Sequence, residues 1–460
     1  MKHRSLFIII ALIAFLSCKK FVEVGLPKTE LVRQSVFLSD ATAEAAMMGV
    51  YNRMVVSGEG YASGNPGSVT YLSGLSSDEF IAGFSFSNDQ STLEFSSNVL
   101  TSTNDFLPDN LWSAPYRDIY GVNSILEGLA QSSGVSPAKK KQLEGEAKFV
   151  RAFAYFYLVN LFGDVPLVLT TDYNTNSNIA RTPKAQVYQQ MINDLKDAQN
   201  SLPGDYSISG GERVRPNKWA ATALLSRIYL YIGDWTNAET QSSAVINNPS
   251  QYNLVGNLDS VFLKNSKEAI WQLTRFNANT FEASLFIITT TPRRIILSPQ
   301  LLNAFESSDL RKQNKWVKNV IISGVTYYFP YKYKVRSITP VQEYYMVLRL
   351  AEQYLVRAEA RAQQGIISGA QADLNIIRTR SGLTNTSAND KTTLLSALEH
   401  ENQVEFFAEW GHRWFDLKRT NRADAVLAPV KSAWQSTAQL YPIPKVQLDN
   451  DPLMTQNPGY

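Results

Sequence analysis

Apolar residues recur along this chain at helical spacing, and the clearest stripe begins at Val347. Val347, Ala351, Tyr354, Leu355, Ala358 and Ala362 fall at i, i+4, i+7, i+8, i+11 and i+15, which is one face of an α-helix. That face is predicted to pack against another helix. Gly365 ends the element, and a second helical pattern resumes from Ala370 through Leu374, Ile376 and Ile377. An earlier segment repeats the arrangement with Leu224, Leu225, Ile228 and Tyr229, a stop at Gly233, and then Ala238, Val245 and Ile246. In both, the glycine lies four residues after Tyr229 or Arg361, and an alanine follows five residues later.

Such helix-turn-helix pairs resemble tetratricopeptide units, in which small residues let two helices approach and neighbouring pairs complete each other's core. The stretch from Leu143 to Phe162 is apolar on nearly all sides from Phe149 onward and stops at Gly163-Asp164, before Pro166, so it reads as a central helix. Ala269 to Arg275 and Val320 to Phe329 read as strand-like, and the polar, aromatic-studded Gly58 to Pro108 as a long loop. A loop of that length inside a compact body points to function. Trp271 reads as a buried strand residue, and Trp219 and Trp410 as packing on helical stripes.

At the start of the chain, Lys2 and Arg4 precede eleven apolar residues from Leu6 to Leu16, and Cys18, the only cysteine, follows directly. Such a stretch is too short for a hydrocarbon layer that needs about 20 residues, and it has the form of a secretory signal. Phe15-Leu16-Ser17-Cys18 resembles a bacterial lipobox, in which the chain is cut before the cysteine and its sulfur carries diacylglycerol. The competing reading is a free reactive thiol. On the first reading, residues 1–17 are signal, 18–35 a lipid-anchored tether, and 36–460 a single body with loop-rich insertions around 57–110 and 255–340.

Composition narrows the chemistry. An acylated Cys18 leaves no thiol for catalysis or metal binding, and of the three histidines His3 leaves with the signal, so that only His400 and His412 stay. A dedicated metal site, which needs several converging ligands, is not expected. The net charge of +3 and the lack of a long single-sign run argue against nucleic acid as a partner.

Three stretches carry a resemblance to a known family. They are Arg151-Ala152-Phe153-Ala154-Tyr155-Phe156 with Leu161-Phe162-Gly163-Asp164-Val165-Pro166, the run from Glu409 to Arg419, and the terminus from Tyr441-Pro442-Ile443-Pro444 to Gln456-Asn457-Pro458-Gly459-Tyr460. Together with Cys18 to Val24 and Leu75-Ser76-Ser77-Asp78-Glu79-Phe80, they resemble the SusD/RagB outer-membrane lipoproteins over essentially the whole chain. The resemblance implies a mainly α fold of four tetratricopeptide-like helix pairs with long loops and a few short strands, and no catalysis or cofactor. It also implies an outward-facing, lipid-anchored lid on a SusC-like TonB-dependent transporter that captures oligosaccharides, or in some members peptides. Many members read Glu-Arg where this chain has Glu401-Asn402, which puts one local ion pair in question.

Sugars present C–H faces flanked by hydroxyls, so a receptor combines flat rings with amide or carboxylate groups in a concave site. Aromatics in polar loops are the candidates: Phe84 and Phe86 beside Asn88, Asp89 and Gln90; Phe276 and Phe281 beside Asn277 and Asn279; and Trp316 flanked by Asn314, Lys315 and Lys318. The predicted ligand set is Phe84, Phe86, Asn88, Asp89, Phe281 and Trp316, with Cys18 as the anchor. Glu405, Glu409 and Asp416 could suggest paired hydrolytic carboxylates, but Glu409 stands four residues before Arg413, the spacing of a helix ion pair. There is no G-x-S-x-G elbow or phosphate loop. The alternative to glycan capture is a helical surface scaffold that binds a protein partner and no nutrient.

Overall fold

The computed structural model describes residues 33–55, 60–62, 65–82, 89–290, 292 and 294–460. In chain order its main elements are α1 (Asp40–Val55), α2 (Val69–Ser76), β1 (Phe80–Ala82), α3 (Gln90–Ser97), α4 (Ala114–Gln131), α5 (Pro137–Phe162), α6 (Lys184–Ser201), α7 (Lys218–Tyr231) and α8 (Trp235–Ile246). Then come β2 (Ala269–Leu273), α9 (Glu282–Phe286), β3 (Ile295–Leu297), β4 (Val317–Ile322), β5 (Val325–Pro330), β6 (Tyr345–Arg349), α10 (Leu350–Gln363), α11 (Ile367–Arg380), α12 (Lys391–Phe406), α13 (His412–Arg419) and α14 (Lys445–Asn450). Helices dominate. Eight of them, α4 to α8 and α10 to α12, pack in sequence order, each against the next.

Local chemistry sets the ends of these helices. The Ser136 hydroxyl accepts from Lys139 N at the start of α5, the Asn217 side chain accepts from Trp219 N and Ala220 N at the start of α7, and Asp390 and Thr393 form a capping box on α12. Each such cap contributes on the order of 1 kcal/mol. At Gly163, Gly233 and Gly365 the backbone turns out of a helix with φ of +76°, +77° and +80°, a region open to glycine at little cost.

The sequence placed the two helix pairs correctly but started one helix too early. Val347 belongs to β6, which pairs antiparallel with β2, and α10 begins only at Leu350. Ala351, Leu355, Ala358 and Ala362 then form one buried face against Ala370, Leu374 and Ile377 of α11 and Leu394 and Leu398 of α12. Ile376, by contrast, is partly exposed. The segment read as loop from Gly58 to Pro108 contains α2, β1 and α3. Its serines and threonines misled the reading, for Ser73, Ser76 and Thr92 are buried.

α5 is the central helix. Phe149 and Phe153 lie edge-on to Trp271 of β2 at 4.9 and 5.1 Å, which locks the insertion between α8 and α10 onto the scaffold, and Phe153 also meets Trp410, between α12 and α13, at 5.4 Å. Trp410 is buried but not helical. Ala408, Trp410 and Gly411 all have positive φ, so the chain breaks between α12 and α13. Arg413 consequently turns away from Glu409 and grips Asp78 with two bonds of 2.8 and 2.9 Å, the pair that joins the Leu75–Phe80 stretch to the Trp-rich run.

A buried network of charges joins the segment before β4 to β6, α11 and α12. Glu405 accepts from Arg311 at 2.8 Å, from Arg349 at 2.6 Å and from Arg380. Arg349 also reaches Glu268 and Glu409, both at 2.9 Å. Glu401 takes Arg311 at 2.7 Å and Arg378, while the Asn402 amide bonds back to Leu398 O, so the departure from Glu-Arg costs Glu401 no partner. Burial raises the Glu405 carboxyl, yet Arg380, Arg349 and Arg311 together hold it well below the usual carboxylate range.

Candidate functional site

Two stretches far apart in sequence share one small sheet. β1 pairs antiparallel with β3 in the register Phe80–Leu297, Ile81–Ile296 and Ala82–Ile295, and Ser298 N donates to Glu79 O at 2.9 Å. Phe80 packs on Phe286 of α9 with 5.7 Å between ring centroids. The segment after β1, which carries Phe84, Phe86 and Asn88, and the segment before β3 therefore leave the same base. Phe84, Phe86, Asn88 and Cys18 lie outside the described residues. Burial pushes the Tyr71 hydroxyl up, with the Arg294 charge lowering it and the Asp89 charge raising it.

Asp89 is half-buried and accepts from Thr92 Oγ1 at 2.5 Å at the start of α3. Phe281 is half-buried with the Arg275 guanidinium 3.3 Å from its ring centroid, which presents the pair as one stacked unit. Phe276 is 86% exposed. Asn279 is not available to a ligand: its amide donates to Ser337, Ile338 and Pro340 carbonyls, and its Oδ1 accepts from Gln342 N and Glu343 N. It fastens the 275–281 loop to the 337–343 loop.

Trp316 requires a correction. Its indole is fully buried and donates to Leu258 O at 2.9 Å, and Lys332, Arg380 and Arg349 lie against its ring at 4.7, 5.5 and 5.7 Å. Polar neighbours in the sequence suggested an exposed ring, whereas the indole covers the buried cations. No sugar reaches it in this fold. Glu405 and Glu409 are likewise tied into that network, and Asp416 is bound to Arg419 at 2.6 Å. The expected helix pair between Glu409 and Arg413 does not form, for the backbone break described above separates them.

Between Phe281 and the body lies a small cavity of about 10 Å³, room for one water, lined by Thr280, Glu282, Glu343 and Tyr345. Glu79 and Glu282 are buried, each has an Oε1 without a hydrogen-bond partner among the described residues, and burial pushes both carboxyls up to about 8. A folded carboxyl above its ordinary value of 4.5 binds a proton that the unfolded chain has released, so its contribution to stability falls as pH rises from about 4.5 towards 8. Glu282→Gln should therefore lessen the fall in melting temperature between about pH 5 and about pH 7. Wild-type and variant profiles that stay parallel across that window would refute this assignment.

Sequence reasoning missed a second concavity. A cleft of about 870 Å³ is lined by Trp112, Tyr116 and Tyr120 of the α4 region, by Tyr173 and Asn176 from the 166–179 loop, and by Gln447 and Asn450 of α14. The signal was present as Trp112, Tyr116 and Tyr120 at i, i+4 and i+8, which reads as a core stripe. Only its first part is core: Trp112 is buried, whereas Tyr120 is 58% exposed.

Comparison with known proteins decides the family. "Starch-binding associating with outer membrane" describes the family matched over residues 55–230, and "SusD family" that matched over residues 303–439. This chain belongs to the SusD/RagB family. SusD-like protein P25 of Formosa agariphila is 30% identical over 166 residues, which is 35% of this chain and 31% of that relative's length. A SusD superfamily protein from Bacteroides vulgatus superposes with a TM-score of 0.79 at 22% identity, covering 92% of this chain and 99% of that one. A laminarin-binding SusD-like protein superposes with a TM-score of 0.78 at 24% identity, covering 92% and 100%. The two superpositions establish a SusD fold, and the family is one of starch- and glycan-binding proteins associated with the outer membrane.

Proposed function

We propose that this SusD-family chain is a surface lipoprotein, anchored through Cys18, that captures oligosaccharides without catalysis and passes them to a SusC-like TonB-dependent transporter. The observation that carries the reading is the family match in both halves, one of them described as starch-binding and associated with the outer membrane. The laminarin-binding protein of the same fold adds support for β-glucan among the candidate ligands. Phe84, Phe86, Asn88, Asp89 and Phe281 are the proposed contacts, with Phe276 added for its exposure. Capture falls to the loop after β1 and the 275–281 loop after β2, and the helix stack is the face proposed for the transporter.

Anchor and hand-off are tested together in outer membranes. Wild type should incorporate a palmitate analogue and co-purify with a TonB-dependent barrel, whereas Cys18→Ala should lose the label and leave the membrane fraction. Label retained by Cys18→Ala would remove the anchor, and wild type recovered without a barrel would remove the hand-off.

A further inference from the structure

The second cleft has the chemistry of a saccharide site in its own right. Its floor is fixed: Trp112 packs on Tyr116 at 5.3 Å and edge-on to Phe162 at 4.9 Å, and the Tyr116 hydroxyl donates to Pro166 O at 2.8 Å. Tyr120 and Tyr173, 58% and 78% exposed, bring rings from two different elements, α4 and the 166–179 loop. No periodicity requires Tyr173, at the tip of a polar loop, to be aromatic. The Gln447 and Asn450 side chains at the rim make no hydrogen bond to the described residues, so they are free to meet hydroxyls. The wall also carries Arg53, Arg117 and Asp451; Arg53 Nε donates to Asp118 at 2.8 Å and Arg117 Nη2 to Asp109 O at 3.4 Å, which holds both guanidinium groups to the body. Aromatic rings with neutral amides, in a cleft within the roughly 300–1,000 Å³ of small-molecule sites, suit an uncharged, polyhydroxylated ligand with an apolar face.

We infer that the cleft between α4, the 166–179 loop and α14 is a second saccharide subsite, separate from the loop after β1 and the 275–281 loop, with Tyr120 and Tyr173 as its stacking rings and Gln447 and Asn450 as its hydroxyl partners. Arg53 lines this cleft and Val55 lines the cavity beside Phe281, so the last turn of α1 separates the two sites. A glycan chain longer than the hexasaccharides used below, held at both sites at once, would dissociate more slowly than from either alone. This inference rests on the glycan-capture reading above.

The test uses the full-length chain in a zwitterionic, sugar-free detergent, titrated by calorimetry with laminarihexaose and with maltohexaose. Wild type should take one of the two at two sites per chain. Tyr120→Ala/Tyr173→Ala should weaken one site on the order of tenfold to a hundredfold and leave the melting temperature unchanged, because both rings are exposed. Asn450→Trp, which fills the cleft from its rim, should abolish the same site, while Phe276→Ala/Phe281→Ala should spare it. Unaltered stoichiometry and affinity in both cleft variants overturns the subsite and leaves glycan capture standing. Wild type that binds neither hexasaccharide overturns both. If the tyrosine pair instead abolishes co-purification with the barrel and leaves sugar binding intact, the cleft is a protein contact and the inference is wrong.

Discussion

Replacing Glu405 by Ala should destabilise the fold severely, by about 3–5 kcal/mol out of a total of roughly 5–15 kcal/mol. Glu405 is fully buried and faces Arg311, Arg349 and Arg380, so its removal leaves three guanidinium groups sharing fewer anions in a dry interior. Glu405→Gln keeps the volume and removes the charge, which separates the electrostatic loss from the cavity. Denaturant unfolding should shift strongly for both variants. A shift under about 1 kcal/mol in the Gln variant would show that the network contributes little. The pH dependence has a definite sign: a carboxyl held below its ordinary value stabilises the fold above about pH 4.5, and that contribution is lost as pH falls through its lower folded value.

Ala358→Trp should be the next most damaging. Ala358 has no exposed surface and sits between Leu355 and Ala362 on the face of α10 that meets α11 and α12. An indole there forces the helices apart or off their rotamers, at a cost of about 1–3 kcal/mol or more. Thermal melting should fall by several degrees in proportion, and an unchanged melting temperature would mean that this face is not a packed helix contact.

The helix pairs were legible because their signal is local: small residues at helical spacing and glycines that must take positive φ at Gly233 and Gly365. Trp271 was legible as a buried strand residue for the same reason. What failed depended on distant partners. Trp316 looked exposed among lysines, and only the fold brings Lys332, Arg349 and Arg380 against its ring. Arg413 looked paired within its helix, until a break at Ala408 to Gly411 turned it to Asp78. Serine-rich α2 read as loop because hydroxyls that bond within the protein, such as Ser76 to Tyr441 at 2.8 Å, resemble solvated ones in a one-dimensional pattern. Tyr120 and Tyr173 were invisible as a pair, since no sequence spacing relates a helix surface to a loop that folds back beside it.

The central claim is that this chain captures oligosaccharides through aromatics of the loop after β1 and of the 275–281 loop after β2. Its most direct measurement is equilibrium binding of laminarihexaose and maltohexaose to the full-length chain, wild type against Phe84→Ala/Phe86→Ala/Phe276→Ala/Phe281→Ala. With each useful ring contributing about 0.5–1.5 kcal/mol, the account predicts that wild type binds at least one of the two and that the fourfold variant, still folded by circular dichroism, loses at least tenfold in affinity at the loop site. A folded fourfold variant that binds as tightly as wild type would contradict it.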